Sequence, residues 1–225
     1  MIHKIINRNK RQSPFVFLLN LYRNGGIRAI FRLFQRWFLG TPFLKVEKYV
    51  PNNGLIIDLG CGIGLFSNLL IYKEPKREVY GIDNDINKIG IAKKTINSNS
   101  NIQFHCFELT DYELPRCQSI ILYDVLHHLK PKAQVEILRK SYAALNHKGR
   151  LVIKENDTVP YWKLLINYLI EFVALGFNLT NSDPICFRSR QEWIKIVTDI
   201  GFELKIEKHL DYWHPWSHSI LVFTK

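Results

Sequence analysis

Apolar and polar positions along this chain follow two periods: short apolar runs of strand length, and longer stretches with apolar residues every three or four positions. Five runs read as strands: 55–59, 79–83, 102–107, 119–123 and 151–155. Helical spacing falls between them, at 65–72, at 86–96 behind Asp85 as N-cap, and at 131–146 with Pro131 at the first helical position; Gly149 ends that connection. Ser189 and Glu192 have the spacing of a capping box, which opens a helix to about Ile200 before Gly201. Two further strands, 202–207 and 219–223, close the chain. Strands alternating with helices predict an α/β, doubly wound, mostly parallel sheet with helices on both faces and ligands at the carboxyl ends of the strands. At 225 residues a single core is expected.

Two stretches stand apart from that alternation. In residues 1–48 Pro14 follows Ser13 as a helix start, and a second helical segment, Ile27 to Leu39, interleaves Arg28, Arg32 and Arg36 with Ile30, Phe31, Leu33, Phe34, Trp37 and Phe38. The three arginines recur every four residues as one stripe. The second stretch, about 158–187, reads as a helical insertion after the fifth strand. Lys163, Asn167 and Glu171 form one polar stripe on an otherwise apolar helix, too short for the ~20 residues of a membrane span. Rich in Tyr, Trp, Leu and Phe, including Tyr161, it is placed to roof a pocket for an apolar or aromatic molecule. The domain reading is therefore an N-terminal extension over 1–48 and an α/β domain over 49–225.

The most specific chemistry lies after the first strand. Asp58-Leu59-Gly60-Cys61-Gly62-Ile63-Gly64 is an acid at a strand end followed by three alternate glycines, and helical spacing follows. A dinucleotide fingerprint needs a third glycine at the position Leu65 occupies. A carboxylate at the tip of the second strand, Asp83, can accept both hydroxyls of a ribose. The run D-L-G-C-G-I-G resembles motif I of the class I S-adenosylmethionine-dependent methyltransferases. Asp124-Val125-Leu126-His127-His128-Leu129, after the fourth strand, is also similar to that family.

The resemblance spans roughly residues 50–155 and implies a seven-stranded sheet, its last strand antiparallel, with S-adenosylmethionine as cofactor. It implies that Asp58 holds the methionine amino group, that the loop Gly60, Cys61, Gly62 and Gly64 lies against the cofactor, and that Asp83, followed by Asn84, takes the ribose. Glu108, followed by Leu109, stands where relatives place an acid for the adenine amino group, with Asp111 as fallback. Tyr123 places its backbone near the methionine end, and Ser119 stands where many relatives carry an acid.

The sulfonium already activates the methyl group, so the protein must align a nucleophile, exclude water and remove a proton. His127 is the expected base on the acceptor side, with Asp124 orienting its neighbours. His128 is assigned to packing, capping or the substrate wall. Glu155, Arg188, Trp213 and His214 are further candidates for lining the acceptor pocket. The expected acceptor is an oxygen or activated carbon of a hydrophobic small molecule: lipid-like, aromatic or carrier-bound. Two alternatives are an RNA methyltransferase, disfavoured because no N-P-P-type amide motif follows the fourth strand, and a non-catalytic cofactor-binding accessory subunit.

Charge adds one partner. Of the net +11, residues 1–48 hold +9, with ten Lys or Arg against the single Glu47. Basic residues mixed with Trp and Phe suit peripheral contact with an anionic membrane through residues 1–40, an acidic protein partner or a phosphate backbone, or a helical cap over the cofactor pocket. Nucleic acid is not an expected partner. Four cysteines, at 61, 106, 117 and 186, have no metal-ligand spacing, so no metal is expected. Without a secretory leader pattern at Met1–Arg8, a cytoplasmic location is expected, with peripheral attachment to the membrane surface as an addition.

Overall fold

The computed structural model describes residues 12–39, 43–96, 101–159, 162–165, 168–169, 185–210 and 217–225. Tyr161, Trp213 and His214, expected to line the acceptor pocket, lie outside the described residues, as does most of the 158–187 insertion.

The sheet has seven strands: β1 (Gly54–Leu59), β2 (Arg77–Asp83), β3 (Ile102–Cys106), β4 (Cys117–Tyr123), β5 (Leu145–Asn156), β6 (Glu203–His209) and β7 (His218–Thr224). Their spatial order is β3-β2-β1-β4-β5-β7-β6. β1 pairs parallel with both β2 and β4, and β7 runs antiparallel between β5 and β6. The expected mostly parallel sheet with an antiparallel last strand is therefore the observed one. Because β1 is flanked on both sides, its residues from Ile56 to Leu59 are buried, which is why it reads as a continuous apolar run rather than an alternation. Chain order reverses between β1 and β4, and crossovers leave that seam toward opposite faces, opening a crevice at the strand ends.

Alternate residues of each strand feed two cores. Ile56, Val79, Ile121, Val152 and Val222 face one; Ile57, Leu59, Ile120, Leu122, Ile153 and Trp193 face the other. The helices are α1 (Pro14–Tyr22), α2 (Ile27–Phe34), α3 (Phe43–Glu47), α4 (Leu65–Lys73), α5 (Ile86–Lys93), α6 (Pro131–Ala144) and α7 (Arg190–Ile200). Their starts follow the expected caps. Ser13 accepts from the Val16 amide, Asp85 accepts from Asn87 and Lys88, and Ser189 with Glu192 completes a capping box.

β5 begins earlier than its apolar run suggests. Leu145 already pairs with Cys117, after which the register shifts before Ser119 meets Arg150. The extra residues are absorbed where Lys148 turns into the left-handed region at φ 61°.

The N-terminal extension packs into the first core, burying Leu18, Tyr22, Ala29 and Leu33 against the same cluster as β1 and α4. The Tyr22 hydroxyl donates to the Ile63 carbonyl at 2.6 Å and accepts from Asn68 Nδ2 at 2.9 Å. Below it, buried Arg77 donates to Glu47 and to the carbonyls of Val50, Pro51 and Leu70, fastening the chain between α3 and β1.

Candidate functional site

A cavity of about 180 Å³ opens at the carboxyl ends of β1, β2 and β4. Its floor is the glycine loop between β1 and α4. Gly60 and Cys61 donate their amides to the Ile82 carbonyl at 2.7 and 3.0 Å, and the Gly62 amide donates to Asp83 Oδ2 at 2.8 Å, so the loop is strapped to the end of β2. Gly60, Gly62 and Gly64 all have positive φ. A Cβ on Gly60 would meet Val125 at 2.4 Å and one on Gly64 would meet Phe104 at 2.5 Å, whereas one on Gly62 would meet only open space. Packing therefore dictates the first and third glycines, and Gly62 leaves backbone bare toward the cavity. Gly64 is not on the cavity wall; it caps α4 from the left-handed region.

The acids are arranged around this floor. Asp58 is buried beneath it and accepts from the Ser67 hydroxyl at 2.5 Å. Burial, with a lesser contribution from the nearby Asp83 charge, pushes its carboxyl up to about 6. Asp83 accepts one amide on each oxygen, from Gly62 and Asp85, and an ionised carboxylate keeps further acceptor sites beyond those two. Asn84 Nδ2 donates to Glu108 Oε1 at 3.0 Å, and both residues line the cavity with Leu109. Burial holds the Cys61 thiol protonated, well above its usual range.

At the other end the wall is aromatic and cationic. Phe43, Phe66 and Tyr123 pack with ring centroids 5.2–5.4 Å apart. Asp124 follows Tyr123 at φ 51°, a left-handed conformation uncommon outside glycine. It is ion-paired to Arg36 at 2.8 Å and to the fully buried Lys154. Burial alone would raise the Asp124 carboxyl, but Lys154 and Arg36 outweigh it and hold the group well below the usual carboxylate range. Asp124 is thereby a fixed negative charge rather than a proton acceptor. Burial lowers the Lys154 ammonium, partly offset by Asp124.

The histidine pair divides differently from expectation. His128 lines the cavity with Leu129; His127 does not. His127 is buried, with Nδ1 2.5 Å from Glu155 Oε2 and its ring stacked on Phe187. Glu155, expected at the substrate wall, instead points its other oxygen at the Val125 and Leu126 amides, at 3.0 and 2.7 Å. It is a brace for the 3-10 turn Leu126–His128. Arg188, also expected at the wall, lies off it and donates to Gln134 Oε1 at 2.7 Å; Gln134 Nε2 in turn reaches the carbonyls of Leu126, Leu129 and Cys186.

Several residues of the wall were not foreseen there: Arg32 and Arg36 from the N-terminal extension, Phe43, Phe66 and Lys88. The arginine stripe was visible in the sequence, but two of its three members, Arg32 and Arg36, turn toward the cavity, while Arg28 is exposed.

These residues fit an adenosyl cofactor: a bare backbone loop, a carboxylate with spare acceptor sites at the second strand tip, and a buried acid poised to ionise beside a cation. A model of the family described as methyltransferase domain matches residues 28–206. The chain belongs to that family. This methyltransferase uses S-adenosylmethionine as its cofactor. It is 29% identical over 217 residues to the carboxy-S-adenosyl-L-methionine synthase of Helicobacter pylori strain HPAG1, covering 88% of this chain and 87% of that protein. Its fold is shared with magnesium protoporphyrin IX methyltransferase from Synechocystis PCC 6803 with bound SAH, at TM-score 0.61 and 17% identity over 93% of this chain and 87% of that one. Human N-acetylserotonin methyltransferase in complex with SAM gives TM-score 0.64 and 17% identity, over 92% of this chain and 58% of the human one. Among the described residues no helix is long and apolar enough to cross a membrane.

Proposed function

We propose that this methyltransferase transfers its methyl group to an oxygen or activated carbon of a hydrophobic small molecule, with His128 on the acceptor side. The observation that carries the reading is the continuity of one cavity wall, from Asp83 and Glu108 through Tyr123 to Val125, His128 and Leu129. The bound cofactor supplies a methyl group already activated by its sulfonium. The glycine loop and the strand-end acids hold that donor, while Phe43, Phe66, Tyr123 and Leu129 offer apolar surface that favours an apolar acceptor and excludes water. An acceptor hydroxyl passes its proton to the His128 imidazole as the new bond forms. His127 and Glu155 position His128 by fixing the turn that carries it.

Cofactor turnover with a panel of phenolic and lipid-like acceptors, read as demethylated cofactor, tests this. His128→Ala is expected to lower turnover by roughly 10²–10⁴-fold with cofactor affinity unchanged; full activity in that variant removes His128 as the base.

A second reading is favoured by one specific observation. Arg32 and Arg36 on the cavity wall suit a co-reactant bearing a carboxylate, and the Helicobacter pylori relative is named for a carboxylated form of the cofactor. Mass spectrometry separates the two readings: methyl transfer releases demethylated cofactor, whereas the alternative yields cofactor with an added carboxylate.

A further inference from the structure

Helix α2 and the turn after it present two unlike faces. The inward one carries Ala29 and Leu33 into the core and sets Arg32 and Arg36 on the cavity wall. The outward one carries Ile27, Phe31 and Phe34, at i, i+4 and i+7, continued by Phe38, whose ring stacks on Phe34 at 5.8 Å. Their exposures are 86, 58, 42 and 61%, a row of large apolar side chains in water on an element whose small alanine is buried. Phe15 of α1 braces the row from behind, with ring contacts to Phe34, Trp37 and Phe38. Burial does not explain the row, and the cofactor cavity does not use it.

The surrounding charge is one-sided. Residues 12–46 contain no acid, and Arg23, Arg28 and Lys45 within that stretch are exposed, Arg28 next in sequence to Ile27 at the start of the row. Glu47, the first acid after it, is buried against Arg77. An apolar ridge with cations along it matches the boundary of an anionic bilayer, where aromatic rings enter the headgroup region and each nearby cation adds electrostatic attraction. We infer that residues 27–38 dock on an anionic lipid surface through Ile27, Phe31, Phe34 and Phe38. The arginines that the sequence suggested for the lipid belong in part to the cavity; the lipid contact is the opposite, aromatic face. Since the same helix walls the cavity, docking brings the cavity to the membrane surface. The inference does not depend on which acceptor is methylated.

Co-sedimentation of the full chain with vesicles tests it, using phosphatidylglycerol mixed with phosphatidylcholine against phosphatidylcholine alone. Binding to the anionic vesicles is expected, weakening as salt rises, with little binding to the zwitterionic ones. The double variant Phe31→Glu, Phe38→Glu is expected to partition roughly tenfold or more weakly. Both side chains are exposed and lie off the cavity wall, so unchanged binding of S-adenosylhomocysteine by calorimetry certifies the folded variant. The inference is overturned by any of three results: no sedimentation with anionic vesicles at low salt, equal sedimentation of the double variant, or wild-type dimerisation in analytical ultracentrifugation that the double variant abolishes.

Discussion

The pH dependence of stability provides a direct measure of the strain stored at Asp58. Its carboxyl ordinarily titrates at 3.8 and is pushed up to about 6 by burial, so the folded chain retains a proton that the unfolded chain has released. Between those values the native state binds more protons, and stability falls as pH rises from about 4 to about 6. A rise of about 2 pH units corresponds to about 3 kcal/mol, present as a penalty above pH 6 and absent below the ordinary value. Asp58→Asn removes the titration while keeping an oxygen for Ser67. In urea unfolding without cofactor, the variant should exceed wild type by up to about 3 kcal/mol at pH 7.5, the excess vanishing toward pH 4. Other groups run the opposite way. His105, lowered by burial and Lys93, loses stability as pH falls below its ordinary 6.5, and Asp124 does so below the ordinary carboxylate value. Taking the variant-minus-wild-type difference cancels both. Under the proposed placement of the cofactor's amino group at Asp58, cofactor binding should invert the ranking, because that cation favours the ionised Asp58 that Asn cannot supply. Below pH 6 wild-type affinity should fall about tenfold per pH unit. A stability difference that stays flat from pH 4 to 7.5 refutes the account.

The loop glycines separate by the same logic of what each protects. Gly60→Ala drives a methyl into Val125 and should lower thermal stability by several degrees, whereas Gly62→Ala meets open space, costs only about 1–2 kcal/mol for its left-handed backbone, and should mainly weaken cofactor affinity measured by calorimetry. At the Asp124 node, Lys154→Met leaves a buried carboxylate short of its fully buried partner and should cost about 3–5 kcal/mol in denaturant unfolding. Arg36→Gln, whose side chain is 39% exposed, should cost less than about 1 kcal/mol; an equal loss in both variants contradicts the assignment of Lys154 as the dominant partner.

The parts of the site legible in the sequence are those that local geometry dictates. A strand ending in Asp58 and a loop of alternate glycines fix their own backbone, and Asp83 follows from the end of the next strand, so their convergence needs only the parallel pairing of β1 with β2. The histidines show where this stops. A 3-10 turn rotates the side chain by about 120° per residue, so neighbouring His127 and His128 face different surroundings. Which one reaches the cavity is decided by Glu155, which arrives from β5 nearly thirty residues later and captures the first of the pair. No spacing within the motif carries that information.

The N-terminal helix fails to be read for a different reason, and the failure is informative. Apolar periodicity assigns large side chains to the core and arginines to water, yet α2 buries Ala29 and Leu33, turns Arg32 and Arg36 toward a polar cavity, and leaves Phe31 and Phe34 exposed. A globular core alone would select the reverse orientation, since each phenylalanine left in water forgoes roughly 1.5–3 kcal/mol of burial. Specific contacts accompany this orientation: the Tyr22 hydroxyl of α1 on the glycine loop, Arg36 on Asp124, and the close approach that a small residue such as Ala29 permits beside Gly25. With α1 fastened to the glycine loop through Tyr22 and Arg36 paired to Asp124 after β4, this segment links the cofactor end of the sheet to whatever covers the aromatic face.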